Sequence, residues 1–186
     1  MNRHHQPLRY WGLREFSPET GARILDVGCG GGMTIRDLVD RQDDTRLVGL
    51  DLSEDMARFS RLVNRGGPKR AGFLAGDVTN LPFPAEAFDA AVAFETAYFW
   101  PDPPAAFAEL RRVLRPEGTL LVVNELYRHP NLSREEERLV ELLGMDLRTP
   151  AGYRKLLEKA GLIPEKPRLH PHHPWMALTA RRPPES

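Results

Sequence analysis

The chain has 186 residues, which suits one domain around one core. Lys plus Arg and Asp plus Glu number 26 each, so the formal net charge is zero, and that speaks against a nucleic-acid partner held by bulk electrostatics. The lone cysteine, Cys29, excludes an intrachain disulfide, and no stretch nears the roughly 20 apolar residues that span a bilayer, so no membrane partner is expected.

The opening MNRHHQPLRYWGLREF has no apolar h-region, so no signal peptide is read there and a cytoplasmic location is the expectation. Beyond it, apolar runs alternate with amphipathic ones, the pattern of an open parallel sheet with helices on both faces. RILDV reads as a short buried strand, and GGMTIRDLVDR as a helix with Ile35, Leu38 and Val39 on one face. RLVGLDL is the second strand. SEDMARFSRLVNR is the second helix, with Ser53 as N-cap and Glu54 and Asp55 at the positive end of its dipole. GFLAGDV is the third strand, NLPFPAEAFD a proline-containing loop and FDAAVAFE the fourth strand.

PPAAFAELRRVL starts with prolines in its first turn, where a missing N–H costs nothing, and continues as a helix. RPEG turns the chain into a fifth strand, TLLVVNEL. SREEERLVELLG is a short helix with a capping box from Ser133 to Glu136. TPAGYRKLLEKAG is another, capped by Thr149 and stopped at Gly161, and WMALTARR forms a final strand.

Between the first strand and its helix lie four glycines in five residues, Gly28 to Gly32, interrupted by Cys29. Such a turn is where α/β sheets bind ligands, because glycine turns tightly and lets a ligand approach the main chain. A phosphate-binding P-loop needs Lys-Ser/Thr after its glycines, but Met33-Thr34 follows here, and that reading is rejected. A dinucleotide fingerprint fits Gly28 and Gly30 but meets Met33 at its third glycine; Asp51 would suit a nicotinamide-dinucleotide ribose, so that residue alone does not discriminate. A third pattern, Asp-x-Gly-x-Gly-x-Gly, is met in full by Asp26, Gly28, Gly30 and Gly32.

With these residues the sequence resembles the class I S-adenosylmethionine-dependent methyltransferases over most of its length. LDVGCGGG looks like their first motif and GLDLSEDM like their second. GDVTNLPFPAEAFD is similar to the third and fourth, above all in the small-molecule branch that includes ubiquinone/menaquinone-biosynthesis enzymes. LRRVLRPEGTLLVVNE and TPAGYRKLLEKAGL resemble the later elements, with Leu162 where a phenylalanine is usual. AFETAYFWPDP resembles a bacterial and archaeal subgroup with Phe-Glu-Thr and Tyr-Phe-Trp-Pro-Asp.

The resemblance implies a Rossmann-like three-layer α/β sandwich whose seven-stranded, mostly parallel sheet ends in an antiparallel strand. It implies a single domain: residues 1–20 an N-terminal lid segment, 21–126 a cofactor-binding core, and 127–186 a lid helix, late helix and final strands. S-adenosylmethionine is the implied cofactor. Asp26 would take its ammonium, and Gly28, Gly30 and Gly32 would keep the loop thin beneath it. Asp51 would hold the ribose hydroxyls, Leu52 and Met56 would pack on adenine, and Asp77 and the Val78 N–H would meet the adenine edge. Phe94 would face the sulfonium.

On the acceptor side Glu95 is a candidate base or amine ligand, with Tyr98 beside it. Tyr98, Phe99 and Trp100 read either as an aromatic wall for a planar or cationic substrate or, for Phe99 and Trp100, as packing on the helix at Pro103. Tyr10 and Trp11 are expected over the methionine end of the cofactor, and Asn124, Glu125 and Tyr127 at the cleft mouth. The histidines of HPHHP have no metal-site spacing, so no metal is expected. The implied partner is a small molecule, with the chain a monomer or homodimer. Two alternatives stay open: an oxidoreductase using a nicotinamide dinucleotide, and a non-catalytic S-adenosylmethionine-binding module. An RNA methyltransferase is disfavoured because Asn-Pro-Pro-Tyr is absent after the fourth strand.

Overall fold

A computed structural model describes residues 5–39, 44–65 and 71–185. Five parallel strands form the sheet: β1 (Arg23–Val27), β2 (Arg46–Asp51), β3 (Ala71–Ala75), β4 (Phe88–Phe94) and β5 (Leu114–Asn124). Three strands run antiparallel beyond them. β6 (Ile163–Pro164) and β7 (Arg168–Leu169) are two residues each, and both pair with β8 (Met176–Arg181), which pairs with β5. The order is β3-β2-β1-β4-β5-β8-β6, with β7 also on β8. This is the expected Rossmann-like sheet, with eight strands rather than seven among the described residues, because the short β6 and β7 add to its antiparallel end.

The alternation along the central strands sorts their side chains onto two cores. Leu25, Ala91, Ala93, Leu120 and Val122 face one side, against helices α4 (Pro103–Val113) and α6 (Pro150–Lys159). Ile24, Ala90, Val92, Phe94, Leu121 and Val123 face the other, against α1 (Gln6–Gly12) and α2 (Met33–Val39). Leu8 and Leu13 bring the N-terminal segment into this second core at 1% and 0% exposure, so it is part of the fold. α3 (Glu54–Val63) flanks β2 and β3, and α5 (Arg134–Leu143) covers a small cluster of Tyr98, Leu126, Val140, Met145 and Leu147.

The caps read from sequence are present: Ser53 Oγ accepts the Met56 N–H, Thr149 Oγ1 accepts the Gly152 N–H, and Ser133 and Glu136 close a capping box. Asp102 caps α4 as well, accepting the Ala105 N–H at 3.1 Å. The expected end of the helix after the glycine loop, at Asp40 and Arg41, lies outside the described residues. RPEG does not separate helix from strand: β5 begins at Leu114, and the distortion survives as Glu117 at φ +63°.

The chain runs β1 to β3 in one direction along the sheet, then returns to place β4 beside β1. The crevice beyond the ends of β1 and β4 is therefore the topological switch point where such sheets hold ligands.

Candidate functional site

The glycine turn leaves β1 at this crevice. Gly28 and Cys29 both donate their N–H groups to Leu50 O, at 2.7 and 3.0 Å, which ties the turn to β2. Gly28 sits at φ +70°, and a Cβ there would come within 2.2 Å of Thr96 Oγ1. Only glycine combines that backbone with that proximity. Asp51, at the end of β2, accepts the Gly30 N–H on one oxygen at 2.8 Å and the Ser53 N–H on the other at 2.9 Å. It thus fixes the glycine loop and the entry to α3 together. Gly32 lies beneath the loop against Ser60 and Asn64. Cys29 is buried, and burial raises its thiol far above the ordinary range, so it is no nucleophile.

These elements enclose a cavity of about 370 Å³. Of the residues singled out in the sequence, Gly28, Gly30, Asp51, Leu52, Met56, Phe94 and Glu95 line it. Thr96 and Phe99 join them, and helix α1 contributes His5 and Arg9, which sequence reasoning missed. The available signal was their spacing: Pro7 marks a helix start, and positions four apart share a helix face.

Other expected residues lie elsewhere. Trp11 does not cover the cavity: the Arg168 guanidinium stacks on its ring at 4.5 Å, and its indole packs against Trp175 and His170. Arg168 also donates to the Trp11 and Gly12 carbonyls at 2.8 and 2.9 Å, clamping the end of α1 to the C-terminal segment. Tyr10 is half exposed, with its hydroxyl accepting from Gln6. Trp100 packs edge-on against Phe107 in the core, which favours packing over the aromatic wall for that residue, while Phe99 stays 48% exposed on the cavity. Asn124 is wholly buried and Tyr127 packs on the core and on His129. Asp77 is exposed beyond β3, one oxygen accepting the Thr79 N–H, and Val78 is core. The HPHHP histidines form an aromatic cluster, with His173 stacked on Trp175 at 4.3 Å.

Asp26 does not stand on the cavity wall. Alternation puts it on the Ile24 face of β1, beneath α1 and α2, where it is 1% exposed. Neither carboxylate oxygen has a hydrogen-bond partner. Burial, then the charge of Asp51, raises its pKa well above the usual carboxylate range, partly offset by Arg9. Arg9 itself is buried and donates from Nε to Asp37 Oδ2 at 2.6 Å.

Glu95 follows β4 directly, in a left-handed conformation, φ +57°. One oxygen accepts the Tyr98 hydroxyl at 2.7 Å and the other accepts the Glu125 N–H. Burial raises its pKa to about 7 despite these two donors. Tyr98 is buried, its phenol pushed above its ordinary range first by burial and then by the charge of Glu95. His5, the N-cap of α1, places Nδ1 3.4 Å from Glu125 Oε2 and 3.8 Å from Glu95 Oε2. The arrangement offers a floor of bare peptide, a buried unpartnered carboxylate behind it and a proton-accepting carboxylate at its rim.

A family model described as Methyltransferase domain matches residues 25–122. The uncharacterized methyltransferase YdaC of Bacillus subtilis is 28% identical over 118 residues, covering 63% of this chain and 64% of its own length. Sterol 24-C-methyltransferase erg6 of Aspergillus fumigatus is 32% identical over 146 residues, covering 75% of this chain and 37% of its own. The chain spans less than two thirds of these relatives' length. Among solved structures, a chain from the complex between the Haloferax volcanii Trm112 methyltransferase activator and a methyltransferase superposes with a TM-score of 0.89 at 22% identity, covering 98% of this chain and 92% of that one. A SAM dependent methyltransferase from Aquifex aeolicus superposes with a TM-score of 0.81 at 20% identity, covering 97% and 93%. At these identities the likeness is one of fold.

Proposed function

The chain belongs to the methyltransferase-domain family, as a class I S-adenosylmethionine-dependent member, and on that premise we propose that it transfers a methyl group to a small molecule in the cavity between the glycine loop and Glu95. When bound, the cofactor supplies an electrophilic sulfonium methyl, and the leaving group comes with it. The protein's task is to align and to manage protons.

The observation that carries the reading is Asp26, whose buried carboxylate has no donor of its own. An amino-acid ammonium at the glycine turn, reaching Asp26 through water, supplies such donors with a matching charge, whereas a pyrophosphate would add negative charge near Asp26 and Asp51. Asp51 is assigned to the ribose, and Leu52 and Met56, apolar and exposed on the cavity, to the adenine faces. Asp77, with one oxygen held by Thr79, is assigned with the Val78 N–H to the adenine edge. Phe94 and Thr96 bound the methyl end, and Glu95 accepts a proton from the acceptor. Tyr98, its hydroxyl committed to Glu95, positions that carboxylate.

Within the class, we place the chain beside the small-molecule ubiquinone/menaquinone-like branch on GDVTNLPFPAEAFD and in the Phe-Glu-Thr/Tyr-Phe-Trp-Pro-Asp subgroup. We assign residues 21–126 as the cofactor core, 1–20 as the lid segment (residues 1–4 lying outside the described residues) and 127–186 as the acceptor side. We further assign it to the cytoplasm as a monomer or homodimer. Among the described residues no helix is long and apolar enough to cross a membrane.

Calorimetric titration with S-adenosylhomocysteine and with NAD tests the reading. Saturable binding of the thioether without binding of NAD is the expected result, and the reverse pattern would overturn it.

A further inference from the structure

We propose that the methyl acceptor is an amine, taken up as its ammonium between the carboxylates of Glu95 and Glu125; this rests on the methyl-transfer reading above. The two Oε2 atoms converge on one point. His5 Nδ1 stands 3.8 Å from the first and 3.4 Å from the second. That nitrogen is buried and makes no hydrogen bond, and it and one oxygen of each carboxylate all lie within 4.8 Å of one another. Two carboxylates held this close attract a cation, and the three N–H donors of an ammonium match the two carboxylate oxygens and the open His5 nitrogen.

The surroundings favour an organic ammonium over a metal ion. Both Glu95 oxygens already accept hydrogen bonds, from the Tyr98 hydroxyl and the Glu125 N–H, which leaves lone pairs suited to N–H donors. Phe94 and Phe99 line the cavity together with Glu95, and aromatic rings in a cavity that carries a carboxylate suit an organic cation. Glu125 is 43% exposed and so stands on the solvent side of the pair, whereas Glu95 lines the cavity.

The chemistry then closes. The ammonium passes one proton to the Glu95 carboxylate, and its freed lone pair attacks the methyl carbon. With the sulfonium methyl donor bound, the carbon–sulfur pair would stay with sulfur, so that the balance would be a neutral thioether and an N-methylated ammonium. The proton on Glu95 leaves to solvent past Glu125.

The test uses the full chain saturated with S-adenosylhomocysteine and titrated with benzylamine, cyclohexylamine and n-butylamine, each against its matching alcohol, and separately with zinc chloride. At least one amine is expected to bind ten-fold or more tightly than its alcohol, with that preference lost in Glu125→Gln and in Glu95→Gln. Glu125 is surface-accessible, so its variant keeps the test decisive if Glu95→Gln fails to fold. Alcohols binding as well as amines, no amine binding at all, a preference that survives Glu125→Gln, or stoichiometric zinc that excludes the amines would each overturn the proposal. Failure of S-adenosylhomocysteine itself to bind would instead overturn the methyl-transfer reading beneath it.

Discussion

Asp51 accepts the Gly30 N–H at 2.8 Å, joining the end of β2 to the middle of the glycine loop across 21 residues of sequence. The same carboxylate accepts the Ser53 N–H at 2.9 Å. Asp51→Ala strips both amides of their acceptor and removes the group assigned to the ribose. We expect a stability loss of about 1–3 kcal/mol in denaturant titration and a fall in S-adenosylhomocysteine affinity of about 100-fold by calorimetry. A full-affinity variant would dissociate Asp51 from the ligand.

Gly28 and Gly30 both have positive φ but different surroundings. A methyl group on Gly28 meets Thr96, whereas one on Gly30 finds only Gly28 O at 4.0 Å. Gly30→Ala therefore carries backbone strain alone, about 1–2 kcal/mol. Gly28→Ala adds overpacking and is expected to cost about 3 kcal/mol or more. Equal losses in parallel unfolding curves would mean that Thr96 does not pin the turn.

Asp26 is expected to trade stability for binding. Its pKa is raised, so the folded chain holds this proton after the unfolded chain has released it, and stability falls as pH climbs above the ordinary carboxylate range. Asp26→Asn removes that penalty. The variant should be the more stable protein at about pH 8 and should lose most of the gain at about pH 4, while binding S-adenosylhomocysteine more weakly. An Asn variant that binds as well as the parent would sink the ammonium assignment.

Glu95 gives a second pH signature with the same sign. Its pKa rises from 4.5 to about 7 on folding. Between those values the unfolded chain has the fewer protons, so stability declines with rising pH and levels off above about 7. That gap is worth about 3 kcal/mol. Comparing the parent with Glu95→Gln by chemical denaturation at about pH 4 and about pH 8 isolates it: the difference in stability should shift toward the Gln variant by that order at the higher pH.

Arg9 and Asp37 form a buried ion pair at 2.6 Å. Arg9→Met leaves the Asp37 charge without that partner and is expected to cost about 3–5 kcal/mol. A double variant with Asp37→Leu should recover much of it, because replacing both charges removes the stranded carboxylate. No recovery in thermal unfolding would mean that Arg9 holds the fold through contacts other than Asp37.

The succession of strands along the chain and the caps at Ser53, Ser133 and Thr149 were legible because each depends on local pattern: alternation, an oxygen three residues before an amide, a glycine at a stop. The carboxylate at Asp51 was legible for the same reason, since strand ends and glycine turns announce themselves. Asp26 was legible as a residue but not as a place, because its burial is made by α1, which is remote in sequence. His5 and Arg9 were hidden likewise. Nothing local in HHQPLRYWG distinguishes a surface helix from one whose Leu8 and Leu13 sit in the core at 1% and 0% exposure. That burial also changes what a truncation means: deleting residues 1–15 takes away core, so weakened binding would not by itself reveal a lid. Trp100 could be read as wall or as core until Phe107 was seen beside it.

Arg168 grips the carbonyls of Trp11 and Gly12 from the far side of the chain. During synthesis the first helix leaves the ribosome long before its anchor exists, so the wall carrying His5 and Arg9 is completed only when the C-terminal hairpin arrives. A nascent chain halted after β5 would thus present a glycine cradle without the wall that α1 supplies, and ligand capture should wait for the segment that carries Arg168.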